Sequence, residues 1–535
     1  MDPRDELDDL SGPLDGDEDD LGPDVDDDEE LEDAEGHLGA SVGDPRGEMA
    51  PDDDEDGGLG PAFDLVDDDA EEPAEVVELT DDEADDLLTR FQRIEAALVQ
   101  RWPESRIEPS LGRIAALVDL LGDPHRAVPV IHLAGTNGKT STARLVESLL
   151  RALGLRTGLF TSPHLHTMRE RIRIDGAPVD LERFVTVYDD IAPYVAIADR
   201  SSASAGGPPL SFFEVMTGLA FATFADAPVD VVILEAGMGG RWDATNVADA
   251  AVAVVTPIAL DHIDYLGPDL ASIAAEKAGI IKAGSSVVLA AQELVVAEVL
   301  LGACVAADAS VAREGVEFGV VERAPAIGGQ LLTLQGPAGV YTEVFLPLFG
   351  AHQAANAAIA LAAAEAFLGG GGTALNPDLV RQGFAAVESP GRLEVVRRSP
   401  TVLVDAAHNP HGARALAAAI SDGFEFTSLV GVVAVLSDKD ARGVLEALEP
   451  VLAEVVITRS SSPRAADVDA LAALAVEVFG ADRVEVSARL ADALDIAVGR
   501  ADHAAAELGG GTGVLVTGSV VTAAEARALL GRGEA

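Results

Sequence analysis

The residues with the clearest chemical content run from Val130 to Thr142, where the apolar stretch Val130-Ile131-His132-Leu133-Ala134 gives way to Gly135-Thr136-Asn137-Gly138-Lys139-Thr140 and then to a helical pattern. Glycines let backbone N–H groups approach phosphate oxygens, a helix N-terminus adds partial positive charge, a lysine adds a full one, and a hydroxyl can ligate Mg²⁺. The stretch predicts a nucleoside triphosphate site. Its loop is a shortened one, with Leu133 where the full spacing has glycine.

Three later segments supply what phosphate chemistry still needs. Glu235 ends the run Val232-Ile233-Leu234 and opens Ala236-Gly237-Met238-Gly239-Gly240-Arg241, which puts a carboxylate at a strand's carboxyl end beside a flexible loop, a place suited to Mg²⁺. Asp261-His262 follows the next run, Val252 to Thr256, and Glu276-Lys277-Ala278-Gly279-Ile280 lies on a helical stretch. Each has a plain alternative: a surface ion pair for Glu235, an ordinary hydrogen-bonded imidazole for His262, a solvated amine for Lys277.

The elements that must position these groups read as an alternation. β-rich apolar runs at Val229–Leu234, Ala251–Val255, Ser286–Leu289, Val402–Val404, Leu429–Val435, Glu454–Thr458 and Val514–Thr517 are separated by helical segments, which predicts an α/β fold of parallel sheets covered on both faces. Short alternating runs between about 310 and 350 predict an antiparallel insertion. A helix capped by Thr80 stops at Trp102-Pro103, and a second covers about Ser110 to Leu121. Gly369 to Gly372 and Pro390-Gly391 punctuate the chain, so a domain boundary is expected near residue 389, dividing 81–388 from 389–535.

Composition narrows the function classes. The net charge of −56 is concentrated at the start: residues 1–80 hold 34 acidic and 2 basic side chains, and such a segment repels itself and buries too little to order, so a disordered leader is expected. The remainder is also acidic, which excludes unspecific nucleic-acid binding. Hydrophobic residues make up 48% and aromatic ones only 4%, so the cores must be built from Ala, Val, Leu and Ile. One cysteine, Cys304, excludes an internal disulfide and suits a reducing compartment, and no apolar run is long enough to span a bilayer. These features predict a soluble cytoplasmic protein without a membrane partner.

In order along the chain stand the phosphate loop, Thr161-Ser162-Pro163-His164-Leu165 with Arg169-Glu170-Arg171-Ile172, Ser211-Phe212-Phe213-Glu214, Glu235 to Asn246, Asp261-His262 with Leu266-Gly267, Glu276 to Ile280, Gly350-Ala351-His352-Gln353 with Asn356, Pro390-Gly391-Arg392-Leu393-Glu394, and Asp405 to Pro410. From about residue 82 to the end, this series resembles the folylpolyglutamate synthase/dihydrofolate synthase family of the Mur ligase superfamily. The resemblance implies a phosphate-loop nucleotide-binding domain with a parallel sheet and a C-terminal Rossmann-like α/β domain. It also implies a reaction in which ATP phosphorylates a substrate carboxylate and L-glutamate attacks the acyl phosphate, giving an amide. The acceptor would be a reduced folate, dihydropteroate, or both, and the enzyme a monomer.

Carried residue by residue, the resemblance gives Gly135, Thr136, Asn137, Gly138, Lys139 and Thr140 to the phosphates, and Thr140, Ser162 and Glu235 to a first Mg²⁺. His262 would serve a second metal, and Lys277 would be a carbamylated lysine, its cation turned into an anion. Asn356 with His352 and Gln353 would lie by the adenine, Arg392 and Asp405 would reach the nucleotide from the second domain, and His408 would stand near the reacting groups. Ser211, Phe212, Phe213, Glu214, Trp242, Asp243 and Ala244 would meet the pterin, although core packing is the better reading for at least one of the two phenylalanines. Two departures stand out: Thr140 replaces the usual glycine, as in cell-wall Mur ligases, and Ala406 replaces a glycine in Asp405-Ala406-Ala407-His408. They keep a ligase acting on a UDP-muramyl peptide as an alternative, with a non-catalytic nucleotide-binding scaffold as another.

Overall fold

The computed structural model describes residues 81–102 and 108–533 of the chain. The acidic leader and its proposed cap Thr80 lie outside the described residues.

Among the described residues, seventeen strands form three sheets: β1 (Val130–Ala134), β2 (Thr157–Phe160), β3 (Ile172–Ile174), β4 (Ala177–Pro178), β5 (Val231–Glu235), β6 (Ala250–Val255), β7 (Ser286–Leu289), β8 (Ser310–Arg313), β9 (Gly319–Ala326), β10 (Gly329–Gln335), β11 (Val340–Leu346), β12 (Glu394–Arg398), β13 (Thr401–Val404), β14 (Ser428–Val433), β15 (Glu454–Ile457), β16 (Val484–Val486) and β17 (Thr512–Thr517). An eight-stranded sheet has the order β4-β3-β2-β5-β1-β6-β7-β8, parallel from β2 to β8. A six-stranded sheet has the order β12-β13-β17-β14-β15-β16, parallel except for β12. Strands β9 to β11 form a separate antiparallel sheet.

The central strands are buried throughout because helices cover both faces: every residue of β1 and of β5 is buried, including His132, which bonds Thr245, and the terminal Glu235. The helix Ala351–Gly369 shows how few aromatics are needed. Residues 357 to 364 of that helix are all at 0% exposure, and its alanines let it lie close against the helix Lys139–Ala152 and the faces of β6 and β7. This buried helix carries His352, Gln353 and Asn356 on its first turns, so the core fixes them.

One expectation is corrected. The antiparallel insertion was predicted from about residue 310, but β8 pairs in parallel with β7, from Ser286↔Ser310 to Leu289↔Arg313, and closes the large sheet. A four-residue strand carries too little pattern to reveal its partner; the antiparallel segment begins at Gly319.

Candidate active site

In open parallel sheets, ligands bind outside the carboxyl ends of the strands. Here two such edges face one another. The segments leaving β1, β5 and β6 in the large sheet and β13, β14 and β17 in the smaller one open onto a single cavity of about 1270 Å³. That exceeds the volume of a site for one drug-sized ligand and leaves room for a nucleotide and a second substrate.

The phosphate loop leaves β1 at Gly135, and only glycine fits there: a Cβ would stand 1.8 Å from Thr256 Oγ1 on the neighbouring strand's end. Lys139 folds back so that Nζ donates to the carbonyls of Gly135 (3.1 Å) and Thr136 (3.4 Å). Burial lowers its pKa, against the pull of Glu235 and Asp261. Phosphate oxygens could replace those carbonyls with little rearrangement.

Thr140 Oγ1 donates to Glu235 at 2.8 Å, and the amide of Ser162 donates to the same carboxylate at 3.2 Å. Glu235 is 1% exposed, and burial raises its pKa despite Lys139. A desolvated carboxylate beside a hydroxyl fits a divalent cation that takes its remaining ligands from phosphate and water. Among the described residues, no group of three or more His, Cys, Asp or Glu could hold a metal alone.

Lys277 closes the helix Leu270–Lys277 and is buried, with Nζ donating to Gly135 O at 2.7 Å. Burial, reinforced by the Lys139 charge, lowers its pKa to about 7. An amine that is half neutral at pH 7 suits addition of CO₂. The pKa of His262 is lowered to about 4, chiefly by burial, so its imidazole is neutral and fits metal ligation.

The second sheet meets this group through Asp261. Its carboxylate accepts from Lys439 Nζ at 2.6 Å and from Asn409 Nδ2 at 3.1 Å, and His408 Nε2 lies 3.6 Å away. Asn137 of the phosphate loop and Asn409 exchange hydrogen bonds of 3.1 and 3.3 Å, and Asn137 also reaches His411 Nδ1 at 2.9 Å. Asp405 accepts from the amides of Leu393 (2.8 Å) and Ala407 (2.7 Å), so its carboxylate shapes the turn that presents Arg392. Gln353 Nε2 donates to Ser141 Oγ at 3.3 Å, and Asn356 Nδ2 to Gln353 Oε1 at 3.1 Å.

Elsewhere in the lining, Ser211 and Glu214 form a capping box on the helix Phe212–Asp226, and Arg113 Nε donates to both Glu214 oxygens at 3.0 and 3.2 Å. Phe213 lines the cavity over Gly237, where a Cβ would lie 2.7 Å from the ring. Phe212 does not line it. Its ring is buried in the core with the Arg171 guanidinium 4.9 Å from its centroid, so the pterin assignment is withdrawn for that residue. Asp243 is held inside the wall by Thr245, whose hydroxyl (2.5 Å) and amide (3.0 Å) both donate to it, and by Met238 N at 2.9 Å. Trp242 and Ala244 also line this wall.

Every other residue expected at the site lines the same cavity, from Gly135 through Thr140, Ser162, Glu235, His262 and Lys277 to Asn356, Arg392, Asp405 and His408. Sequence reasoning missed Arg113, Asn409, His411 and Lys439. For Lys439 a signal existed, because Ser437-Asp438-Lys439-Asp440 leaves a predicted strand just as Glu235 does. The chain has four lysines, Lys139, Lys277, Lys282 and Lys439, and three of them line the cavity.

The Mur ligase middle domain family matches residues 213–364, and the Mur ligase glutamate ligase domain family matches 391–520. The dihydrofolate synthase/folylpolyglutamate synthase of Mycobacterium tuberculosis is 56% identical over 463 residues, covering 84% of this chain and 95% of that protein. The enzyme of the same description from Escherichia coli is 35% identical, covering 68% of this chain and 81% of its own. Among solved structures, folylpolyglutamate synthase of M. tuberculosis complexed with ADP superposes with a TM-score of 0.81 at 55% identity, covering 84% of this chain and all of that one. E. coli FolC with DHPP and ADP gives 0.71 at 32% identity, covering 82% and 97%.

Proposed function

The chain belongs to the dihydrofolate synthase/folylpolyglutamate synthase family of Mur ligases, and from that premise we propose how its cavity joins L-glutamate to a folate and to dihydropteroate at the cost of ATP. It is an ATP-dependent, amide-forming ligase. The observation that carries the residue assignment is the convergence of two parallel-sheet edges on one cavity, whose lining includes Lys139 and Glu235 together with the aromatic rings of Phe213 and Trp242.

An unactivated carboxylate is a poor electrophile, so the residues must first favour phosphoryl transfer to it. Lys139 and the loop amides hold the β and γ phosphates, and Arg392 approaches them from the second sheet. Thr140, Ser162 and Glu235 would hold one Mg²⁺ and His262 a second, and the ions would supply positive charge toward the transferred group. Carbamylated Lys277 supplies an anion in the same pocket, and His408 stands beside Asp261 near the reacting groups. Lys439, paired with Asp261, offers a second buried cation for the anionic amino acid. Asn356, with His352 and Gln353, places the adenine, and Asp405 acts through the Arg392 turn. Residues 81–388 and 389–535 form the two domains of this reading, and a hinge near 389 opens and closes the cleft. Among the described residues, no helix is long and apolar enough to cross a membrane; we place the enzyme in the cytoplasm as a monomer acting on small molecules.

Phosphate release with ATP, Mg²⁺ and L-glutamate should be supported by dihydropteroate and by tetrahydrofolate, and not by a UDP-muramyl peptide. Turnover with the muramyl peptide alone would overturn the reading, and turnover with a single pterin would remove the dual activity. Phe213→Ala should raise KM for the pterin acceptor about tenfold, through lost ring contact, while KM for ATP stays within twofold. Equal changes in both constants would move Phe213 out of the acceptor site.

A further inference from the structure

A series of polar contacts outside the reacting groups ties the two halves of the cleft together. The segment Thr161–Thr167 carries Ser162, whose amide binds Glu235. Its backbone is preformed, because Glu170 accepts from the amides of Leu165 (2.9 Å), His166 (3.0 Å) and Thr167 (3.2 Å). Across the cleft, the turn Pro390-Gly391-Arg392 is held by Glu394, which accepts from Gly391 N at 2.8 Å. Arg527, on the helix Val520–Leu529, bridges the two: Nε donates to Glu394 Oε2 at 2.8 Å and Nη1 to His166 Nε2 at 2.6 Å. Leu165 packs against the same turn, 3.5 Å from where a Cβ on Gly391 would lie.

These contacts have a direction. Because Arg527 donates, His166 must present an unprotonated Nε2, which places its proton on Nδ1. The guanidinium reaches two separated acceptors with two nitrogens of one rigid planar fork, a geometry that lysine's single nitrogen does not reproduce. Arg527 is 12% exposed and Glu394 23%, so this pair is screened less than a surface one. Through Arg527, Glu394 thereby links the Arg392 turn to the segment carrying Ser162, and both Arg392 and Ser162 line the cavity.

We propose that Arg527 and His166 are a positioning pair, which locks the Arg392 turn against the Ser162 segment when the cleft is closed. Neither touches substrate; both act through Arg392 and Ser162. The inference rests on the ligase reading above.

The test compares Arg527→Gln, Arg527→Lys, His166→Ala, His166→Asn and the double variant His166→Ala/Arg527→Gln. Each of Arg527→Gln and His166→Ala should lower kcat about tenfold and raise KM for ATP more than KM for the pterin, since small misplacements of positioning groups cost up to about a hundredfold. The double variant should fall no further than the worse single one. Arg527→Lys should not restore kcat, whereas His166→Asn, which keeps an acceptor, should recover part of it. Independent losses that multiply, full rescue by lysine, or wild-type kcat in either single variant would overturn the proposal.

Small-angle scattering with ADP gives a readout free of turnover: wild type should become more compact, and Arg527→Gln and His166→Ala less so. Equal compaction in all proteins also overturns the pair. If Arg527→Gln fails to fold, His166→Ala, at a half-buried site, decides the matter alone. Should the wild-type protein turn over no pterin, the ligase reading fails on that count, and the scattering arm still tests the pair.

Discussion

Lys139→Ala is expected to reduce kcat by about 10³-fold and to leave the protein folded. The two effects separate because of where the ammonium sits. Its hydrogen bonds are to two loop carbonyls, and burial disfavours its charge. Removing it relieves that desolvation, while Glu235 loses a neighbouring cation, so the net change in Tm should stay within about 5 °C. In catalysis nothing compensates. Charge gathering on the transferred phosphoryl group loses its nearest lysine, and ADP affinity should fall with kcat. Steady-state phosphate release, ADP titration calorimetry and thermal unfolding on one preparation check all three. A kcat within a few-fold of wild type would show that the loop does not serve the transferred phosphate.

The second large effect concerns Lys277, for which arginine should be as damaging as alanine, each lowering kcat by about 10²-fold or more. An ordinary cation would tolerate Lys277→Arg. A lysine that adds CO₂ cannot, because the guanidinium is never neutral. The neutral amine attacks CO₂ and loses a proton, so carbamate formation follows the neutral fraction. With the pKa lowered to about 7, that fraction is about half at pH 7 and falls about tenfold per unit below it. Enzyme stripped of CO₂ should therefore lose activity, most steeply below pH 7, and regain it on adding bicarbonate. Activity indifferent to CO₂, or full activity in Lys277→Arg, would rule the modification out.

Both predictions start from residues visible in the sequence, and the reason is geometric. In a parallel sheet, chemistry gathers where strands end, and β1, β5 and β6 are apolar runs, apart from His132 and the terminal Glu235, whose ends are easily found. Glu235 and the Asp261-His262 pair were legible on that ground. The short strands β3, β4 and β16, at three, two and three residues, carry no readable period. Groups that work in pairs across the cleft were also hidden. Asn137 and Asn409 are 272 positions apart, and His166 and Arg527 are 361 apart. Nothing local in either partner announces the other. Phe212 and Phe213 show the remaining difficulty: adjacent rings on one helix start face different surroundings, and only the packing of Arg171 and Gly237 tells which is which.

The scarcity of lysine has a practical reach beyond catalysis. With no fully exposed lysine anywhere in the described residues and none in the others, acylating reagents, bifunctional crosslinkers and acetyl donors find few side-chain amines to attack. Apart from the chain's own α-amino group, the amines open to them are Lys282 and the three in the cavity. Amine-directed labelling of this protein should thus report largely on the cavity, and any lysine that ADP covers should be protected by it.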